Sequence, residues 1–215
     1  MTKELPPENK IEGKLERKDQ SIRDRIEKMP SASFNSEEEL INYLISFNIP
    51  VESWGQGRAK TISHLFTEIR EGETVLVQSG KELVRQIEFA SVNVFFQDGN
   101  DAYRLVEDHQ KFKDGRIRQR KPSGSLSEKM KSGENSLAVA KRAVIEELGI
   151  GSEIQISGDK QIEEMEESPS YPELTTRYIK HVFTVELKAD QFSRAGYTEN
   201  QEDKTTFFIW SKVDS

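Results

Sequence analysis

The sequence predicts an α+β fold, a mixed sheet with one long helix late in the chain and a small helical segment ahead of it. Three observations predict this. Two segments of helical period precede any strand-like sequence; after Gly72 the pattern changes to runs of period two; and one amphipathic stretch, Ser136 to Leu148, interrupts those runs. No β-α-β rhythm recurs, which argues against a doubly wound parallel sheet.

Residues 1–30 hold eight Lys or Arg and seven Asp or Glu around isolated apolar residues at Ile11, Leu15, Ile22, Ile26 and Met29. Their spacing lines one helix face that nothing nearby could bury, so a partner-dependent helix and a disordered segment are both open. Ser36 followed by Glu39 is a capping-box start, with Leu40, Leu44 and Phe47 at helical spacing before Pro50. A second helix is expected from about Ala59 to Arg70, its apolar face carrying Ile62, Leu65, Phe66 and Ile69. The runs TVLVQ, LVRQIEF, SVNVFFQD, AYRLVEDHQ and RIRQR then read as strands, with turns at QDGND and KDGR. Beyond the helix come EIQIS, an acidic loop EEMEESPSYPEL, the strand TRYIKHVFTVEL with Ile179, Phe183, Val185 and Leu187 on one face, and a closing strand TTFFIWSKV. The divisions expected are a charged extension over 1–34, a helical segment over 35–84 and a sheet-bearing domain over 85–215.

Composition narrows the chemistry. The chain of 215 residues is 34% hydrophobic and 32% charged, enough for a real core, and its formal charge of -7 repels nucleic-acid phosphates, so general nucleic-acid binding is not expected. With no cysteine, any metal must be held by oxygen or by three histidines, and His64, His109 and His181 show no metal spacing. No apolar run approaches the roughly 20 residues that cross a bilayer, and the start MTKELPPENK lacks a signal-peptide hydrophobic region, so a cytoplasmic protein without membrane contact is expected. Neither a Gly-x-Ser-x-Gly elbow nor a Gly-x-x-x-x-Gly-Lys-Ser/Thr phosphate loop occurs.

In the stretch GENSLAVAKRAVIEELGI, from Gly133 to Ile150, Leu137, Ala140, Val144 and Leu148 make a stripe expected to pack on the sheet, with Gly149 as helix stop. Arg142 and Glu146 are i,i+4 neighbours able to pair, and Glu147 points about a quarter turn away. Two carboxylates at a helix C-terminus oppose the macrodipole, and a bound cation reverses that sign. Carboxylates with loop oxygens suit Mg2+, or Mn2+, which would polarise a phosphorus centre and activate a water. A charged helix face in solvent is the plainer alternative.

These residues resemble the Nudix box, a glycine, five residues, a glutamate, seven residues, then Arg-Glu-U-x-Glu-Glu-x-Gly-U with U bulky and aliphatic. Glu134 is followed by seven residues and Arg142, and Val144, Glu146, Glu147, Gly149 and Ile150 fall in register. Two positions depart. Ala143 stands where the family has a glutamate, and Glu128 stands at the first glycine unless Gly124 is its displaced equivalent. The resemblance implies an α/β/α sandwich with a mixed sheet. It also implies that Glu146 and Glu147 bind the metal, that Arg142 orients the carboxylates, and that Glu128 and Glu134 are further metal candidates. The acids of 163–167 or of TENQED could supply an oxygen or a general base. The activity implied is Mg2+-dependent hydrolysis of the phosphoanhydride of a nucleoside diphosphate linked to another moiety. With Ala143 as the mark of lost chemistry, the alternative is a Nudix-like module that binds a ligand or a protein. The partner expected is a small nucleotide-type substrate, with a homodimer left open.

Further candidates lie outside the box. Arg116, Arg118 and Arg120 share a strand face and could grip phosphates bidentately, or could simply be a solvated edge. Lys129 is a weaker candidate of the same kind. Tyr171 could stack on a flat group, although SPSYP also reads as a rigid turn, and Trp54 in WGQG reads as capping a junction between helices.

Overall fold

A computed structural model describes residues 32–119, 125–151 and 153–213. The expectations for residues 1–31, for Arg120 and for Gly124 lie outside the described residues. The α+β class and the small helical segment ahead of the sheet are both present. The described chain forms two compact units, one from residues up to Ile87 together with Glu164–Tyr178, the other from Glu88–Glu163 and Ile179 onward.

The first unit holds helices α1 (Glu37–Ser46) and α2 (Ile62–Arg70), a 3-10 turn at Val51–Ser53, and strand β1 (Val75–Ser79) paired antiparallel with the start of β2 (Glu82–Asp98). Ser36 caps α1 by accepting from the Glu39 N–H, as its spacing predicts. The second helix starts three residues later than expected because Thr61 and His64 form a reciprocal capping box that sets Ile62 as the first helical residue. Its core gathers Leu40, Leu44, Leu65, Leu76, Leu83 and Leu174 around Trp54 and Tyr171. Each such fully buried leucine stabilises the fold by roughly 1.5–3 kcal/mol.

The remaining strands are β3 (Asp101–Phe112), β4 (Ile117–Arg118), β5 (Leu126–Lys129), β6 (Ile156–Glu167), β7 (Thr175–Glu186), β8 (Tyr197–Asn200) and β9 (Lys204–Lys212). The strands lie in the order β6-β7-β2-β3-β9-β8, with β5 on β2 and β4 on β3. LVRQIEF and SVNVFFQD, expected as separate runs, form one 17-residue strand, β2. The acidic residues 163–167, expected as a loop, belong to β6. The two turns fall as expected, with Gly99 and Gly115 both at positive φ. Helix α3 (Ser136–Leu148) packs its Val139, Ala140, Ala143 and Val144 against Val92, Val94, Leu105, Phe183 and Phe208 of the sheet. No helix among the described residues is long and apolar enough to cross a membrane.

Candidate active site

Helix α3 carries the candidate chemistry, and its ends are well defined. Asn135 caps the start by accepting from the Ala138 N–H at 3.1 Å, and Gly149, at φ 67°, ends it in the left-handed conformation that costs glycine nothing. The buried face differs from the expected stripe at one end. Leu137 is 38% exposed, whereas Val139 and Ala143 are buried. Positions 139, 143 and 147 follow one another at i+4, so Glu147 lies on the inward stripe one turn beyond Ala143.

Glu147 is therefore drawn out of water, with one oxygen, Oε1, buried and without a hydrogen-bond partner. Burial is the main force that pushes its carboxyl up to about 9. The charges of Glu199, Glu128 and Glu107 add to that rise, and a hydrogen bond from the Ser127 N–H opposes it. Glu128 is also raised, first by burial and then by Glu146 and Glu199, against the pull of Arg142. Glu146 itself is exposed on the outer side of the last turn.

Arg142 does not take the expected partner. Its Nη1 donates to Glu134 Oε1 at 2.7 Å and its Nη2 to Glu134 Oε2 at 3.2 Å; Nη2 also donates to the Lys129 carbonyl at 3.2 Å and stands 3.4 Å from Glu128 Oε1. A fork-shaped guanidinium facing a carboxylate in the loop outcompetes an i,i+4 contact on the helix surface. Arg142 thus fastens the loop before α3 to the middle of the helix. Glu134 also accepts from the Lys131 N–H at 2.7 Å, and these bonds, the arginine's first, hold it down to about 2. It stands in the structure as the orienting partner of Arg142, while Lys129 enters through its carbonyl.

The remaining candidates separate. Arg118 pairs with Gln110 across β4 and β3, which puts both on the same sheet face. Arg116 instead donates from Nε to Asp114 Oδ2 at 2.6 Å and lies over the Phe112 ring at the hairpin. Tyr171 offers no stacking surface: it is 0% exposed in the core of the first unit, 5.1 Å from the Trp54 ring and beneath the Arg85 guanidinium. A tyrosine flanked by prolines and leucine packs inward, and the substrate-binding role expected of it is corrected to a structural one.

Sequence reasoning missed Glu107 and Gln110 on β3, and found Glu199 only as one acid within TENQED. Among the described residues, no three Asp, Glu or His groups already stand arranged to enclose a metal ion. The donor set nevertheless suits a divalent cation. A buried carboxyl beside the charges of further carboxylates keeps its proton in the metal-free fold, and a hard cation is the kind of partner that would let it ionise there.

No family model matches the chain, and no curated protein matches it. Among solved structures it is similar to the E. coli dihydroneopterin triphosphate pyrophosphohydrolase, at 16% identity over 57% of this chain and 78% of that one, with a TM-score of 0.39. It is similar to a C. elegans Ap4A hydrolase at 15% identity, over 58% of this chain and 79% of that one, with a TM-score of 0.35. A MutT/Nudix family protein from Enterococcus faecalis is 13% identical, over 85% of this chain and 58% of that one, at a TM-score of 0.41. The last bears the name of the family that Arg142 to Ile150 resemble.

Proposed function

We propose that the second unit is a Nudix-type hydrolase that cleaves the phosphoanhydride of a nucleoside diphosphate linked to another moiety, dependent on Mg2+ or Mn2+. The observation that carries the reading is Glu147. A carboxyl held in a largely buried place at the foot of α3, with an unpartnered oxygen and the charges of Glu128 and Glu199 acting on it, keeps its proton in a metal-free fold and ionises at neutral pH only beside a positive partner. Glu146, Glu147 and Glu128 would hold the cation, which when bound supplies Lewis-acid polarisation of the phosphoryl oxygens and lowers the pKa of a water. The chain's own residues do the rest. Arg142 keeps Glu128 and the preceding loop in place through its clasp on Glu134, and Glu199 is the acid outside the helix best placed to accept a proton from water. Arg118, on the same sheet face as Gln110, is the arginine best placed to meet a phosphate.

The test is Glu147→Gln, an isosteric change that removes one charge. Hydrolysis of a panel of nucleoside diphosphate conjugates at millimolar Mg2+ or Mn2+ is expected to fall by about 100-fold or more while the fold persists. A wild-type protein that never exceeds the uncatalysed rate on such a panel rules the reading out. One observation favours a second reading, a binding module that no longer hydrolyses: Ala143, at the position of the missing glutamate, is 1% exposed and offers no oxygen. Under that reading Glu147→Gln leaves ligand or protein binding untouched.

A further inference from the structure

We infer that Glu107 and Gln110 of β3 complete this centre, supplying the donor oxygens that Ala143 cannot. The inference rests on the hydrolase reading above, because the group to be held is the same divalent cation.

The geometry comes from an irregularity in β3. Residues three apart in a regular strand project to opposite faces. Between Glu107 and His109 the register with β9 shifts, leaving Asp108 as an extra residue, so that Glu107 stands opposite Phe208 and Gln110 opposite Thr206. Cross-strand partners share a face, and Phe208 and Thr206 are two apart on β9 and both 2% exposed. The bulge therefore brings Glu107 and Gln110 onto one face. That face also bears Leu105 and Phe208, which belong to the core packed under α3. β8 extends the rungs, with Tyr197 opposite Phe208 and Glu199 opposite Thr206. Gln110, Thr206 and Glu199 thus make one rung across three strands, and Glu107 stands on the next. The charges of both Glu199 and Glu107 act on Glu147 from this side. On the opposite face His109 stacks on Phe207 at 4.4 Å and bonds Asp108 at 2.7 Å, which fastens the bulge in place.

Unsatisfied polarity is the independent second observation. Gln110 is 4% exposed; its Nε2 approaches Glu107 Oε2 at 3.4 Å, and its Oε1 has no hydrogen-bond partner. Glu107 Oε1 and Glu147 Oε1 are buried in the same condition. Orphaned buried acceptors are rare in folded proteins, because each goes without the hydrogen bond that water would give it. Apart from the Gln110 amide nitrogen, these groups bring no donor of their own unless Glu147 keeps its proton. They are the complement a hard cation requires, since Mg2+ and Mn2+ take oxygen ligands from carboxylates and carboxamides alike.

The experiment uses the full chain and Mn2+ as the probe, with binding read by calorimetry and by the electron paramagnetic resonance signal of free Mn2+. Glu107→Gln is expected to weaken Mn2+ binding at least about 10-fold and Gln110→Leu by several-fold, in the range found when metal-site supports are removed. Both variants should melt no lower than wild type without metal, since each loses an unpaired acceptor or its charge. Glu186→Gln, at an exposed position of β7, should bind Mn2+ as wild type does. If wild type binds and hydrolyses but Glu107→Gln and Gln110→Leu bind within twofold of it, or if Glu186→Gln weakens binding equally, the inference falls and the hydrolase reading stands. If wild type binds no Mn2+ at millimolar concentration and hydrolyses nothing, both fall. Should Glu107→Gln not fold, Glu107→Asp keeps the charge and withdraws it by one methylene; unchanged affinity there also overturns the assignment.

Discussion

Replacing Glu147 by glutamine should remove activity and stabilise the metal-free protein at the same time. A carboxyl raised from its ordinary 4.5 to about 9 contributes fully to stability only while the unfolded chain also keeps its proton, and that contribution is lost as pH rises toward 9. At pH 7 the unfolded glutamate has ionised by 2.5 pH units beyond its ordinary value while the buried one has not. At about 1.4 kcal/mol per unit this burdens the fold by at most about 3 kcal/mol. Relaxation and water penetration raise the effective dielectric, so about half of that ceiling is the expected measured effect. Glutamine has the same shape and no charge to desolvate. For a chain of this size a gain of about 1–2 kcal/mol raises the melting temperature by roughly 2–8 °C. The assay is thermal unfolding of both proteins in chelator between pH 4.5 and 9. The gain should be near zero at pH 4.5, clear at pH 7 and larger at pH 8.5, and millimolar Mn2+ should reduce it by stabilising the wild type alone. A pH-independent difference, or a glutamine variant that melts lower at pH 8, would refute the account of Glu147 as a buried, uncompensated acid.

Three further outcomes follow from other parts of the molecule. Arg142→Ala releases Glu134, Glu128 and the Lys129 carbonyl together, and should cost about 1–2 kcal/mol in denaturant unfolding and lower hydrolysis well beyond what that loss explains. His181 bonds Asp159 at 2.9 Å and Glu88 at 2.8 Å through its two ring nitrogens; burial works against its charge, yet these bonds prevail and raise its pKa. Its contribution is complete below about pH 6.5 and is lost as pH rises through the folded value, so His181→Gln should destabilise more at pH 5.5 than at pH 9 in matched urea melts. Gly196 has φ 82°, and an added Cβ would lie 2.0 Å from the Phe208 carbonyl oxygen. Gly196→Ala should therefore cost about 3 kcal/mol or more, visible as a collapse in soluble yield or melting temperature.

Local signals were legible because they are settled by neighbours in sequence. The limits of α3 follow from its apolar period and from Gly149, the turns follow from QDGND and KDGR, and the inward face of β7 follows from strict alternation at Ile179, Phe183, Val185 and Leu187. What tertiary contacts decide was not legible. An alanine-rich helix has a broad apolar face, so Leu137 and Val139 competed for burial, and only packing on the sheet chose Val139. Arg142 had Glu146 within reach on its own helix, and the loop carboxylate of Glu134 won by geometry no spacing reveals. Tyr171 is equally suited to a cleft and a core, and the aliphatic shell of the first unit took it. Alternation through AYRLVEDHQ predicts Glu107 and Gln110 on opposite faces, because nothing in that string announces a bulge.

The extra residue in β3 means that neighbours across the sheet, and not spacing along the chain, settle which side each residue takes. Deleting Asp108 alone would restore an even pleat and leave Glu107, His109 and Gln110 opposite Phe208, Phe207 and Thr206, so each keeps its present face. A one-codon loss at that point is thus a change of length that the pairing absorbs.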